Sequence, residues 1–446
     1  MTPRRALELV LPLTIAGTVF AFTCGSSAVI PVLRVGRPLR WICLVTLCGL
    51  ALLHLVLERP RPVRPPAWLL GLAALAGLGA LSAVWSVDPR LTLGRAGSLA
   101  LLFLTAAALG IAGASRPETA RRVLLGIVAG VVAVAVAGLV VLAVLYDEAV
   151  QSASSQYPWR YRGLGENPNT VALLLGVTLP LAGWLVLAAR TRRARVAGIA
   201  VFGLLDGSLV ASGSRGALLA AFPALLVLVL LAGGPARRRS WLAAAVAVLA
   251  LANLGVQQLP SPSPGGEPSR PAFSRDASLS LPLEAEIGRG GPGGRPPAIR
   301  RKLLGGSGRG QAWPAAVGQA LERPVAGYGF GTEAEVFVDR FYFFASALPE
   351  NSYIGLLLQL GVAGLIAFLA AAAALLGAAR RSLREAPQAE RLTLAAATSV
   401  AVAALLGGVT QSYLLSVGNV ATSSVWICAF LAASASLARR SNARAA

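Results

Sequence analysis

The stretch Arg121-Arg122-Val-Leu-Leu-Gly-Ile-Val-Ala-Gly-Val-Val-Ala-Val-Ala-Val-Ala-Gly-Leu-Val-Val-Leu-Ala-Val-Leu145 carries charge at one end only. From Val123 to Leu145 every side chain is apolar, and the run is long enough to cross the ~30 Å hydrocarbon core of a bilayer as a helix. Similar runs start near Leu7, Leu39, Ala67, Leu91, Thr170, Val196, Gly216, Trp241, Ser352, Leu392 and Val417. They predict an all-α fold: one polytopic membrane bundle over 1–446, with about twelve transmembrane helices and a large external loop.

Arginine sorts across these runs. With the N-terminus cytoplasmic, the inner segments hold 22 of the 40 basic residues and only Glu8, Glu58, Glu118, Glu385 and Glu390 as acids, about +17 of the net +21. That asymmetry is the positive-inside pattern of a multi-pass protein with both termini in the cytoplasm. The dispersal of charge over short loops argues against a nucleic-acid partner. Hydrophobic residues at 56%, charged residues at 13% and a mean hydropathy of +0.68 fit the same class. Cys24, Cys43, Cys48 and Cys428 lie in or beside apolar runs and read as packing residues.

Two outer loops are long: 146–169 and 257–351. Within the second, 260–297 is rich in Pro, Gly and Ser and reads as a flexible insert. From Arg309 to 351, short helices are expected at the border of a site. Trp313, Val317 and Leu321 recur at helical spacing, and Pro324 with the glycines up to Gly331 ends that helix. A second is expected over 332–344, with Phe337, Phe341 and Phe344 on one face. Both suit interfacial packing or a lid over a substrate.

An arginine on the disfavoured outer side needs an anion or water, so Arg160, Arg162 and Arg215 are candidates for a diphosphate site. Asn167 or Asn169 can cap the helix that follows, and Pro168 fits its first turn. That helix start would offer N–H groups beside two guanidiniums. Arg215 sits in the tight turn Ser212-Gly-Ser-Arg-Gly216. Forked planar donors suit phosphate oxygens, and lipid headgroups are the plainer use of the same arginines.

Four stretches resemble the O-antigen ligase and polysaccharide polymerase family of membrane glycosyltransferases: Trp85-Ser-Val-Asp-Pro89; Arg162-Gly-Leu-Gly-Glu-Asn-Pro-Asn169; Ser214-Arg-Gly216; and the loop end. The last comprises Arg309, Trp313, Pro324-Val-Ala-Gly-Tyr-Gly-Phe-Gly331, Glu350-Asn-Ser-Tyr353 and Leu360-Gly-Val-Ala-Gly364. The resemblance implies an inner-membrane enzyme that takes a glycan from a polyprenyl-diphosphate carrier at the extracytoplasmic face and joins it to a glycan or glycolipid acceptor. It implies that Arg162, Arg215 and Arg309 bind the diphosphate, and that Arg160, Asn167, Asn169, Asn351 and Tyr353 surround the substrate. No cofactor is implied, and metal-independent inverting transfer is expected.

The chain departs from the family at one position. Family ligases carry a histidine before the asparagine at the end of the loop; here Glu350 precedes Asn351, and the one histidine, His54, lies in the second span. Glu350 can act as base if desolvation raises its pKa, or it can hold Arg309 or Arg215 by an ion pair. A repeat-unit polymerase would use the same arginines. A transporter of lipid-linked glycans would favour broken helices at the midplane instead. Asp88 reads as a helix cap, His54 as a packed residue, Asp206 as a span residue that needs a partner, and Asn253 and Gln411 as interhelical hydrogen-bonding residues.

Overall fold

The computed structural model of the protein describes residues 3–58, 65–151, 159–258, 309–337 and 348–443. The insert at 260–297, Phe341 and Phe344 lie outside them. The chain is all-α, and the described residues hold one two-stranded ribbon besides. Its long helices are α1 (Pro3–Cys24), α2 (Ile30–Glu58), α3 (Ala67–Leu81), α4 (Pro89–Ser115) and α5 (Pro117–Val144). After a short α6 (Tyr146–Ala149) and the ribbon β1 (Val150–Gln151) and β2 (Arg160–Tyr161) come α7 (Pro168–Ala188), α8 (Arg192–Ala211), α9 (Arg215–Leu231) and α10 (Ala236–Val256). The short α11 (Arg309–Ala320) and α12 (Glu333–Phe337) precede α13 (Ser352–Glu385), α14 (Gln388–Gly407) and α15 (Thr422–Ala443).

Among the described residues, ten helices are long and apolar enough to span a membrane, and α9 and the apolar part of α15 are shorter apolar helices beside them. The chain is an integral membrane protein. Lipid offers little driving force between apolar helices, so close approach by small residues matters. Gly126 and Gly130 of α5 lie bare against the backbone of Pro12 and Ala16 in α1. At the heart of the bundle, Trp68, Phe103, Trp426 and Phe430 make edge-on ring contacts at centroid distances of 4.8 to 6.2 Å.

Two of the differences between expected and observed helix starts bear on the site. Helix α2 begins at Ile30, so Arg34, Arg37 and Arg40 stand on its first turns instead of in a loop. The last helix begins at Thr422, because residues 408–421 form turns: the Thr422 hydroxyl donates to Tyr413 O (2.8 Å) and Ser416 O (3.0 Å).

Helix α13 is two helices. Gly361 has φ 63° and ψ −165°, a region that residues with a Cβ avoid, and the helical bonds break there. The freed groups need partners in a membrane protein. The stretch Pro324–Gly331 supplies them: Tyr328 N donates to Leu358 O (2.9 Å) and Gly329 N to Gln359 O (2.9 Å), while Pro324 O accepts from Val362 N (2.7 Å). Leaving even one such buried group unmatched costs about 1–3 kcal/mol. The same stretch is tied to the α3–α4 turn, where Trp85 Nε1 donates to Ala326 O (3.0 Å), Val87 N to Tyr328 O (3.0 Å) and Phe330 N to Ser82 Oγ (2.9 Å). Three stretches that lie far apart in sequence therefore form one hydrogen-bonded knot.

Helix α11 forms at Arg309, but its buried stripe is Ala312, Ala316, Gln319 and Ala320, while Leu321, just past its end, is exposed. The small side chains let it lie close to α13. Helix α12 ends its described length at Phe337, which is fully buried.

Candidate active site

The candidate residues gather at the end of the bundle formed by the turns before α4, α9 and α13 and by the 408–421 turns. Their organiser is the α14–α15 connection. Ser352 N donates to Gly408 O (2.7 Å), the Ser352 hydroxyl donates to Gln411 O (2.7 Å), and Tyr413 N donates back to that hydroxyl (2.9 Å). The start of α13 is thus fastened to this connection.

Arg215 is the first residue of α9, and its neighbour Gly216 packs without a side chain against Thr410. Arg309 reaches the same turn from α11, where its Nη2 donates to Thr410 O (3.0 Å). Arg309 and the first turn of α9, which bears Arg215, lie some ninety residues apart in sequence and both contact Thr410. Arg309 also forms an ion pair with Glu350 at 3.4 Å, one of the two roles open to that glutamate. Glu350 has φ 53°, a positive value that no other non-glycine residue among those described adopts. Strained backbone of this kind costs on the order of 1 kcal/mol or more and persists where its surroundings fix it. Here Asn351 fixes it: its side chain caps α13 by accepting from Tyr353 N (2.9 Å) and Ile354 N (3.1 Å), and its own N–H donates to Ser412 Oγ (3.1 Å).

Arg160 of β2 and Arg162 just after it are held by backbone and side-chain oxygens. Arg160 is 7% exposed; its Nε donates to Ser212 O (2.8 Å) and its Nη2 to Asn169 Oδ1 (2.6 Å), so it braces the turn that presents Arg215. Arg162 donates to Glu148 O (2.6 Å) and Asp147 O (2.8 Å) and pairs with the Glu148 carboxylate at 3.3 Å. Asn167 is the α7 cap, accepting from Asn169 N (2.9 Å) and Thr170 N (3.1 Å), with Pro168 at the first helical position. Tyr353 is the second residue of α13 and donates to Leu405 O (2.7 Å).

Three charged residues at this end were not singled out by the sequence reading. Arg40 of α2 donates to Gly418 O (3.3 Å), and Arg95 of α4 lies against the same glycine. Glu333 of α12 is buried at 8% exposure. The first two lie at the same end of the bundle as the candidate arginines, and misplacing the start of α2 hid Arg40. The weaker candidates have structural partners: Asp88 caps α4 by accepting from Leu91 N (3.0 Å), Asn253 Nδ2 donates to Asp206 Oδ1 (2.8 Å), and His54 is buried 4.0 Å from Glu58.

These features define a polytopic membrane protein with a cationic, tightly cross-braced site at one end of its helical bundle. Residues 199–369, from within α8 to the middle of α13, match the family model described as O-Antigen ligase, so this part of the chain is similar to that family. No curated protein matches it. The matched region contains Arg215, Arg309, Glu350, Asn351 and Tyr353.

Proposed function

We propose that the protein is a glycosyltransferase of the inner membrane, moving a glycan from a polyprenyl-diphosphate carrier to a glycan or glycolipid acceptor at the extracytoplasmic face. The observation that carries this reading is that Arg309 and the start of α9, which bears Arg215, both pack on Thr410. Fixed guanidiniums offer forked donors to a diphosphate and stabilise the charge that grows on it as its bond to the sugar breaks. Arg160 keeps the Arg215 turn in place. Glu350, paired with Arg309, holds that side chain toward the site. Direct attack of an acceptor hydroxyl on the anomeric carbon, without a metal, inverts its configuration.

A lipid-linked donor is supported by a second feature. An apolar groove of about 310 Å³ between α9 and α10, lined by Leu218, Phe222, Val246 and Leu254, begins one turn below Arg215. It suits an isoprenoid tail whose diphosphate lies at the arginines. The test is purified protein in liposomes, given polyprenyl-diphosphate-linked glycan extracted from cells and a panel of glycoside and glycolipid acceptors. Mass analysis should find the glycan joined to an acceptor and free carrier diphosphate. Movement of the lipid across the bilayer with no new bond would mean a transporter and sink the reading.

A further inference from the structure

The site described so far has arginines for a leaving diphosphate but leaves the attacking hydroxyl without a proton acceptor, because Glu350 faces Arg309. A cavity of about 240 Å³ lies next to it, lined on its polar side by Arg95, Glu333, Ser352, Gln359, Ser412 and Ser416. This is several times the ~30 Å³ that a water takes up in the liquid. The cavity abuts the Arg309 site through the chain itself: Thr410 O accepts from Arg309, and two residues on Ser412 Oγ accepts from Asn351 N.

Glu333 is the unusual member. It is more than nine-tenths buried, and its Oε2 finds no hydrogen-bond partner among the described residues. The carboxyl lies against the bare backbone of Gly355, where any Cβ would collide with Oε2. The Gln359 side chain, whose Oε1 accepts from Gly331 N (2.7 Å), holds the same carboxyl. A buried acceptor without a donor is costly, and at the wall of a cavity it points to a ligand that brings the donor. A carboxylate repels phosphate and accepts from a hydroxyl, so the expected occupant is a neutral polyol.

We propose that this cavity is the acceptor subsite and that Glu333 is the catalytic base, taking the proton of an acceptor sugar hydroxyl through Oε2. The acceptor oxygen forms a bond to the anomeric carbon as the bond from that carbon to the diphosphate oxygen breaks. The electron pair leaves with the diphosphate against Arg215 and Arg309, and the proton passes to Glu333 and then to solvent. Glu350 and Glu333 thus divide the work: one holds a donor-side arginine, the other receives the proton.

Electrostatics suit the role. Burial pushes the Glu333 carboxyl up to about 7, with the Gln359 hydrogen bond and Arg95 opposing the rise and Glu350 adding to it. The other titratable group in the cavity wall is Tyr413, and Arg40 stands behind Arg95 at Gly418. A base of this kind is active when ionised, so the rate should climb with pH toward about 7 and flatten above it.

The inference rests on the transferase reading, and one experiment separates their failures. Rates in the liposome assay are measured against pH for the wild type, Glu333→Gln and Glu333→Asp, with binding of polyprenyl diphosphate measured alongside. We expect Glu333→Gln to be roughly 100-fold slower or worse, to lose the climb with pH, and to bind the carrier as the wild type does. Glu333→Asp should recover part of the rate and a displaced climb. A Glu333→Gln protein with wild-type rate and pH profile, or one that loses carrier binding along with activity, overturns the base role and leaves the transferase reading standing. A wild-type protein that moves no glycan onto any acceptor sinks both.

Discussion

The two ends of the bundle treat arginine differently. At the end carrying the α4–α5 turn, arginines meet carboxylates: Arg116 pairs with Glu58 at 2.8 Å, and Arg122 pairs with Glu8 at 2.7 Å and with Glu118 at 3.6 Å. These pairs clip α1, α2 and α5 together. At the site end, Arg160, Arg162, Arg309 and Arg40 all donate to carbonyl oxygens, and the ion pairs of Arg162 with Glu148 and of Arg309 with Glu350, at 3.3 and 3.4 Å, come in addition to those bonds. A carbonyl orients a guanidinium without cancelling its charge. One end therefore uses arginine as a clip, and the other keeps it as a positioned cation.

The largest break in that contrast should come from Arg215→Gln or Arg309→Gln. Each removes a fixed donor from the charge-stabilising set, and loss of one such donor costs about 100- to 1,000-fold in rate. Glycan transfer in liposomes measures it, and a melting temperature close to the wild type would show that the fold survives. Arg160→Gln is expected to follow, with a loss of up to ~100-fold, since it displaces the Ser212 turn and thereby Arg215 without touching the leaving group. Glu350→Gln should raise the concentration of carrier needed for half-maximal rate, because Arg309 loses the partner that holds it.

Stability should respond elsewhere. Gly361→Ala forces a side chain into a positive-φ position against the backbone of Val325 and should destabilise the protein by at least ~1–3 kcal/mol, read as a lower melting temperature in detergent. The smallest effect is expected from Arg122→Gln. Its half-exposed pairs contribute about 1 kcal/mol or less, and transfer should proceed at the wild-type rate.

Much of the fold was legible because a bilayer imposes length and apolarity on each span. Val123–Leu145 could be read with no knowledge of its neighbours. The start of α2 could not, because Arg34, Arg37 and Arg40 look like loop until the helix is seen to carry them outward. In the site, Arg160, Arg162 and Arg215 were marked by their position on the disfavoured side, and Arg309 by the family resemblance alone. The pairing of Arg309 with Glu350 was one of two open roles, and Asn167 was one of two possible caps. What stayed hidden was long-range. Nothing near Pro324–Gly331 says that it fills the break at Gly361, well beyond it in sequence, and nothing near Glu333 says that a glycine at 355 receives its carboxyl. The buried face of α11 was misread because alanines at helical spacing are a weaker signal than Trp313 and Leu321, though close packing prefers the alanines.

The most direct test of the retained-cation account is binding of polyprenyl diphosphate to the purified protein in nanodiscs, with four variants in parallel. Arg215→Gln and Arg309→Gln should each weaken binding at least tenfold, while Arg122→Gln and Arg116→Gln at the opposite end should leave it unchanged. Equal affinity in all four would contradict the account, since the arginines at the site end would then be no more than structural.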